Sequence, residues 1–153
     1  MYTRQQASQL KQEFWTTFGQ YMSPVRTEEG TKVNWVNYKT GEKDIYFRMH
    51  ADNKEAFIAI ELTHKDPEIR ELYFEQFIQL KNIFEGIMGE DWLWQMHSSD
   101  NDGRIVSRIM KECKNVNIFN KAQWPDLISF FKTRIIKLDE FWSNVKYGFE
   151  SLR

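Results

Sequence analysis

Apolar and polar residues alternate from Glu55 to Leu62, with Ala56, Ile58, Ile60 and Leu62 on one face. That period of two predicts a half-buried strand. A stripe spaced by threes and fours follows at Ile69, Leu72, Tyr73, Phe77, Leu80, Phe84 and Ile87, which predicts one long helix with an apolar face. Its ends are punctuated. Asp66 can accept from the first-turn amides, Pro67 sits where no amide is needed, and Gly89 suits a left-handed exit. A strand that feeds directly into such a helix is the expected organising centre. Ile58, Ile60, Phe77 and Leu80 are its expected core.

The same patterning extends to the rest of the chain. Thr3 to Gln6 reads as a capping box opening a helix that carries Ala7, Leu10, Phe14, Phe18 and Tyr21 and stops by Ser23-Pro24. After a polar loop, Val33–Tyr38 and Asp44–Met49 read as strands, and Asp52-Asn53 as a two-residue hairpin turn. That turn would pair Ile45 with Ile60 and Phe47 with Ile58 on one face, and Asp44 with Glu61 and Arg48 with Phe57 on the other. Asp91–His97 brings Trp92, Trp94 and Met96 together on a strand. A turn cluster at 98–103 follows, then strands at Arg104–Met110 and Val116–Phe119. A last helix opens at Asn120 or Trp124 and carries Leu127, Phe130, Phe131, Ile135, Leu138, Phe141, Trp142 and Val145. The predicted order is α-βββ-α-βββ-α. Because hairpin connections dominate, the expected fold is α+β, one domain over 1–153 with an antiparallel-rich sheet covered by helices.

Composition sharpens this picture. Twelve Phe and six Trp supply a large apolar core without disulfides or metal. The lone Cys113 cannot form an internal bridge, and no apolar run reaches the ~20 residues of a membrane span. A cytoplasmic protein without a signal peptide or membrane segment is expected. Net charge is −1, but residues 66–102 hold nine acids against two bases, while 104–137 hold eight bases against two acids. Either two solvated faces balance within the fold, or a basic surface meets a partner.

Several stretches together resemble one bacterial family. They are Glu13-Phe14-Trp15-Thr16-Thr17-Phe18, Phe57-Ile58-Ala59-Ile60-Glu61, Phe77-Ile78-Gln79-Leu80-Lys81, Gly89-Glu90-Asp91-Trp92, Ser107-Arg108-Ile109 and Asn120-Lys121-Ala122-Gln123-Trp124. The family is catalogued as domain of unknown function 4268, and the chain is similar to its short, free-standing Bacteroidetes type. These motifs are core aromatics and turns, so the resemblance implies a fold and no chemistry. Longer members carry the domain beside nuclease-like regions, which implies a DNA-related setting for those chains.

Two function classes follow from the residues. The α-βββ-α-β start has the element order of restriction-endonuclease-like metal-dependent nucleases, where two carboxylates hold Mg²⁺ against a phosphate. Asp44 and Glu61 are the candidate metal pair. Thr63 stands where such a site has a lysine, and Lys65, one pleat further along, is the candidate substitute. Against this, His50, His64 and His97 read as surface or capping residues without metal spacing, and Cys113 as a structural thiol. Tyr46, Phe57, Trp92 and Trp94 are candidate interface residues, because an uncovered aromatic sheet face marks a partner surface or a homodimer. The reading drawn is a non-enzymatic interaction or self-associating domain without cofactor. The alternative is a nuclease-like nucleic-acid-binding domain using Asp44, Glu61 and Mg²⁺.

Overall fold

The capping box forms as the sequence predicts. Thr3 Oγ1 accepts from the Gln6 amide at 3.1 Å, and Gln6 Oε1 accepts from the Thr3 amide at 2.9 Å. The structure, a computed structural model, describes residues 2–153. Helix α1 runs Arg4–Met22 and turns Phe14, Phe18 and Met22 inward, while Tyr21, expected on that face, is exposed. There follow β1 (Ile45–Ala51), β2 (Glu55–Leu62), α2 (Pro67–Gln79), α3 (Lys81–Met88), β3 (Leu93–Ser99), β4 (Ile105–Lys114) and α4 (Trp124–Val145). The strands form one antiparallel sheet in the order β1-β2-β4-β3, and the fold class is α+β.

Two predicted strands do not form. Residues 33–38 instead contain a 3₁₀ turn at Trp35–Asn37, because the Asn34 carboxamide accepts from the Val36 and Asn37 amides and so competes with a ladder. That segment is tied down by side chains. Trp35 Nε1 donates to the Val25 carbonyl, and Tyr38 donates at 2.6 Å to the buried Asp139 of α4, which also accepts from the Glu28 amide. Burial, the Asp139 hydrogen bond and its charge push the Tyr38 hydroxyl far above the usual phenol range. Residues 116–119 are likewise not a strand. The Val116 and Ile118 amides donate to Lys54 and Asp52 carbonyls, so the segment wraps onto the β1–β2 turn.

The central helix is broken. Asp66, Pro67 and Gly89 cap it as expected, with Gly89 at φ 70°, but Leu80 separates α2 from α3. The buried set on α2 is Arg70, Tyr73, Phe74 and Phe77, one position round from the predicted stripe, so Ile69 and Leu72 are exposed and Leu80 is only half-buried. The rotation lets Phe74 meet Trp94 edge-on, while Phe84 and Met88 of α3 turn inward. At the α3 exit Glu90 receives Arg134 of α4 through two 2.9 Å hydrogen bonds and the Trp92 indole at 3.0 Å. Burial alone would raise the Glu90 carboxyl. The Arg134 and Trp92 hydrogen bonds and the charges of Arg134 and Lys111 outweigh it and hold the group below its usual range.

The β1–β2 pairing is shifted by two residues. Ile45 faces Leu62, Phe47 faces Ile60 and Met49 faces Ile58. The two-residue turn is Asn53-Lys54, since the Asp52 amide donates to the Glu55 carbonyl and the Asp52 carboxylate accepts from the Lys54 and Glu55 amides at 2.8 and 2.9 Å. The inward row Phe47–Ile60–Ile109–Trp94 crosses the whole sheet under the helices. Among the described residues, no helix is long and apolar enough to cross a membrane. Phe77 is fully buried against Phe141, Trp142 and Phe149. Phe77→Ala is expected to cost about 3–5 kcal/mol through lost contacts and a cavity, and equilibrium denaturation checks this.

Candidate functional site

All four helices contribute to the main apolar cluster, and its sheet residues come only from the inward rows. The opposite face carries different rows: Tyr46–Glu61–Arg108–Gln95, Arg48–Ala59–Met110–Leu93, and His50–Phe57–Glu112. The turn from Asp100 to Arg104 rises beside this face, and a cleft of about 450 Å³ lies between turn and strands. Lys43, Arg48, Lys65 and Arg104 line it together with Asp44, Tyr46, Thr63 and Asp100. A neighbouring depression is walled by Arg48, Phe57, Glu61 and Arg108.

Glu61 sits at the centre of the face and is only 4% exposed. Its Oε2 accepts from Arg108 Nε at 3.1 Å and Nη2 at 2.9 Å, while Arg48 Nε faces Oε1 at 3.5 Å. The guanidinium groups also cover the aromatic rings. Arg48 lies 4.2 Å from the Tyr46 ring centre and Arg108 5.1 Å from that of Phe57, whose ring stacks on His50. Arg104 is engaged by Asp100 and Asp102 across its own turn.

The observed register changes the fate of the predicted carboxylate pair. Asp44 is opposite Thr63, not Glu61: the Thr63 amide donates to the Asp44 carbonyl at 2.9 Å and Thr63 Oγ1 to Asp44 Oδ1 at 3.2 Å. Asp44 adopts φ 66°, a left-handed conformation that aspartate tolerates better than most residues. Asp44 and Lys65 do share the cleft, whereas Glu61 belongs to the adjoining depression and is already bound by arginine. As arranged, Asp44 and Glu61 do not fit a shared Mg²⁺, because an ion at Glu61 would have to displace Arg108. Among the described residues no group of three or more His, Cys, Asp or Glu side chains is placed to hold a metal.

The four aromatic candidates divide between the faces. Tyr46, 39% exposed, and half-buried Phe57 lie on the outer face. Trp92 and Trp94 serve the core instead, both edge-on to Phe84. Trp92 is buried just before β3, and Trp94 is half-buried on the inward row. Arg48, Arg104 and Lys43 of the cleft, and Arg108 of the neighbouring depression, are residues that sequence reasoning did not single out. The available signal for Arg48 was its alternation with Tyr46 and His50 on one strand face. Among the histidines, His97 is exposed and His50 bonds the Asp52 carboxylate at 3.1 Å. His64 is no surface residue. It is buried against the Tyr73 ring at 4.3 Å, and neither ring nitrogen has a protein partner.

The family model of a domain of unknown function, DUF4268, matches residues 10–146, from the middle of α1 through α4. The chain belongs to that family. No curated protein and no solved structure matches it. In this DUF4268 chain the matched span therefore includes both layers of the fold and every residue of the cleft.

Two outcomes are expected. Glu61→Ala leaves Arg108 without its buried partner and should cost about 3–5 kcal/mol, whereas a Glu61→Leu/Arg108→Leu double substitution should cost far less. A double-mutant cycle in urea measures both. The second outcome concerns pH. Burial, and to a smaller degree the Arg70 charge, lowers the His64 pKa against the opposing pull of Asp44. As pH falls below about 6.5, the unfolded chain therefore binds a proton at this position that the folded chain refuses, and stability drops by at most ~1.4 kcal/mol per pH unit. His64→Phe should flatten that part of the stability–pH curve, as thermal melts between pH 5 and 8 can read.

Proposed function

We propose that the protein is a non-enzymatic interaction domain that receives an acidic polypeptide segment in the cleft on the outer face of its sheet. The cation set carries the reading. Lys43, Arg48, Lys65 and Arg104 line the cleft against two carboxylates, and neither lysine has an acidic partner among the described residues. Discrete cations separated by Asp44 and Asp100 suit separate carboxylate side chains. A continuous phosphate backbone would meet two like charges there. Guanidinium groups already occupy the faces of Tyr46 and Phe57, so stacked bases would have to displace them. Self-association is a special case of this reading, since the acid-rich 66–102 stretch presents exposed Glu68, Glu75 and Glu85 to a second copy.

The nuclease-like alternative draws on Asp44 and Lys65 sharing the cleft. Arg108 weighs against it, because its guanidinium already neutralises the carboxylate that the ion would need. The test is fluorescence anisotropy with a labelled glutamate-rich peptide and a single-stranded DNA oligonucleotide of equal length, alongside light scattering at high micromolar protein. Peptide binding should weaken with salt and fall roughly tenfold or more in Lys43→Glu/Lys65→Glu. That variant should melt like wild type, both side chains being exposed. Preference for the oligonucleotide, or Mg²⁺-dependent cleavage lost in Asp44→Asn, would overturn the proposal.

A further inference from the structure

On the other side of Ile105 lies a second cavity of about 410 Å³, lined by Pro67, Arg70, His97, Ser98, Ser99 and Ile105. Arg70 is its unusual member. The residue is 4% exposed, its guanidinium has no carboxylate partner among the described residues, and its side-chain hydrogen bond runs from Nη1 to the His64 carbonyl at 2.8 Å. Nε is buried with no partner at all. The guanidinium is thus a buried cation held by one neutral acceptor. Apart from that one bond to the His64 carbonyl, nothing in the packing engages its charge, and the positions beside it on the inward stripe, Tyr73, Phe74 and Phe77, are aromatic.

We infer that this cavity is a binding site for a small monocarboxylate with an apolar body, its carboxylate completed by Arg70. The guanidinium offers a buried, charge-assisted contact, and the Ser98 and Ser99 residues at the cavity wall bring further polar groups. Pro67 and Ile105, the latter 59% exposed, supply apolar surface for the remainder of the ligand. The acidic surroundings select the charge state. Asp66 and Glu68 flank Pro67, and Glu71 lies 3.8 Å from His97, so a dianion meets repulsion that a single carboxylate tolerates. The site shares Ile105 with the proposed peptide cleft as a common wall, but the inference does not depend on that reading.

The experiment is an NMR titration of the full chain with butyrate and with benzoate, and with inorganic phosphate as the dianionic control. Saturable shifts of the Arg70 Nε–H and Ile105 amide resonances are expected for at least one carboxylate, and much weaker ones for phosphate. Arg70→Met should weaken binding roughly tenfold or more while its unfolding midpoint stays close to that of wild type, because it loses one hydrogen bond to the His64 carbonyl but also an unpaired buried charge. Ile105→Glu, a surface change that sets a negative charge at the cavity mouth, should also weaken binding and leaves the core untouched should Arg70→Met fold poorly. Absence of saturable shifts with either carboxylate, or binding unaltered in Ile105→Glu, would overturn the inference.

Discussion

The outer face depends on the turn between β1 and β2. Asp52 gathers the Lys54 and Glu55 amides on one carboxylate oxygen and is itself held by His50, which fixes Asn53-Lys54 as the loop and locks every later pairing. Burial would raise the Asp52 carboxyl, but the hydrogen bonds from Lys54, Glu55 and His50 outweigh it and keep the group ionised. From that register Glu61 falls opposite Tyr46 and, through β4, opposite Arg108. Slipped by two residues, the same strands would set Asp44 beside Glu61 and leave an acidic centre on the sheet.

The two faces of the sheet are built on different physics. The inner one is closed by aromatic rings from the helices, where edge-to-face contacts such as Phe84 with Trp92, Trp94 and Phe141 make a dense layer. The outer one is closed in part by charged side chains, with Arg108 over the Phe57 ring and Arg48 over that of Tyr46. Ala59 and Met110 are buried there without belonging to the main cluster. A helix roof would have made this surface inert. Guanidinium groups leave it polar, and the proposed binding reading rests on that asymmetry.

Much of the inner layer was legible in the sequence because apolar period reports burial directly. The strand face of Ala56, Ile58, Ile60 and Leu62, the capping box at Thr3, the Asp66-Pro67 start and the Gly89 exit all stand as expected. The register was not legible. Pairings that differ by two residues put the same side chains on the same faces, so alternation cannot separate them, and only the Asp52 side chain does. Arg70 and His64 were hidden for another reason. Arg70, next to an apolar stripe, reads as solvent-facing unless tertiary packing rotates the helix, as Phe74 against Trp94 does here, and His64, in the β2–α2 loop, reads as surface until the Tyr73 ring covers it. The strands expected at 33–38 and 116–119 failed because side-chain and turn acceptors took the amides that a ladder needs.

A carboxylate at the middle of an open sheet ordinarily borrows its counter-charge from the surroundings, as a proton or a dissolved ion. Glu61 has its counter-charge built into the polypeptide through Arg108, whose guanidinium holds it by two hydrogen bonds. That charge cannot be chelated, diluted or exchanged. The charge balance at the centre of the outer face is consequently supplied by the fold itself, and Glu61 needs no ion from solution to be neutralised.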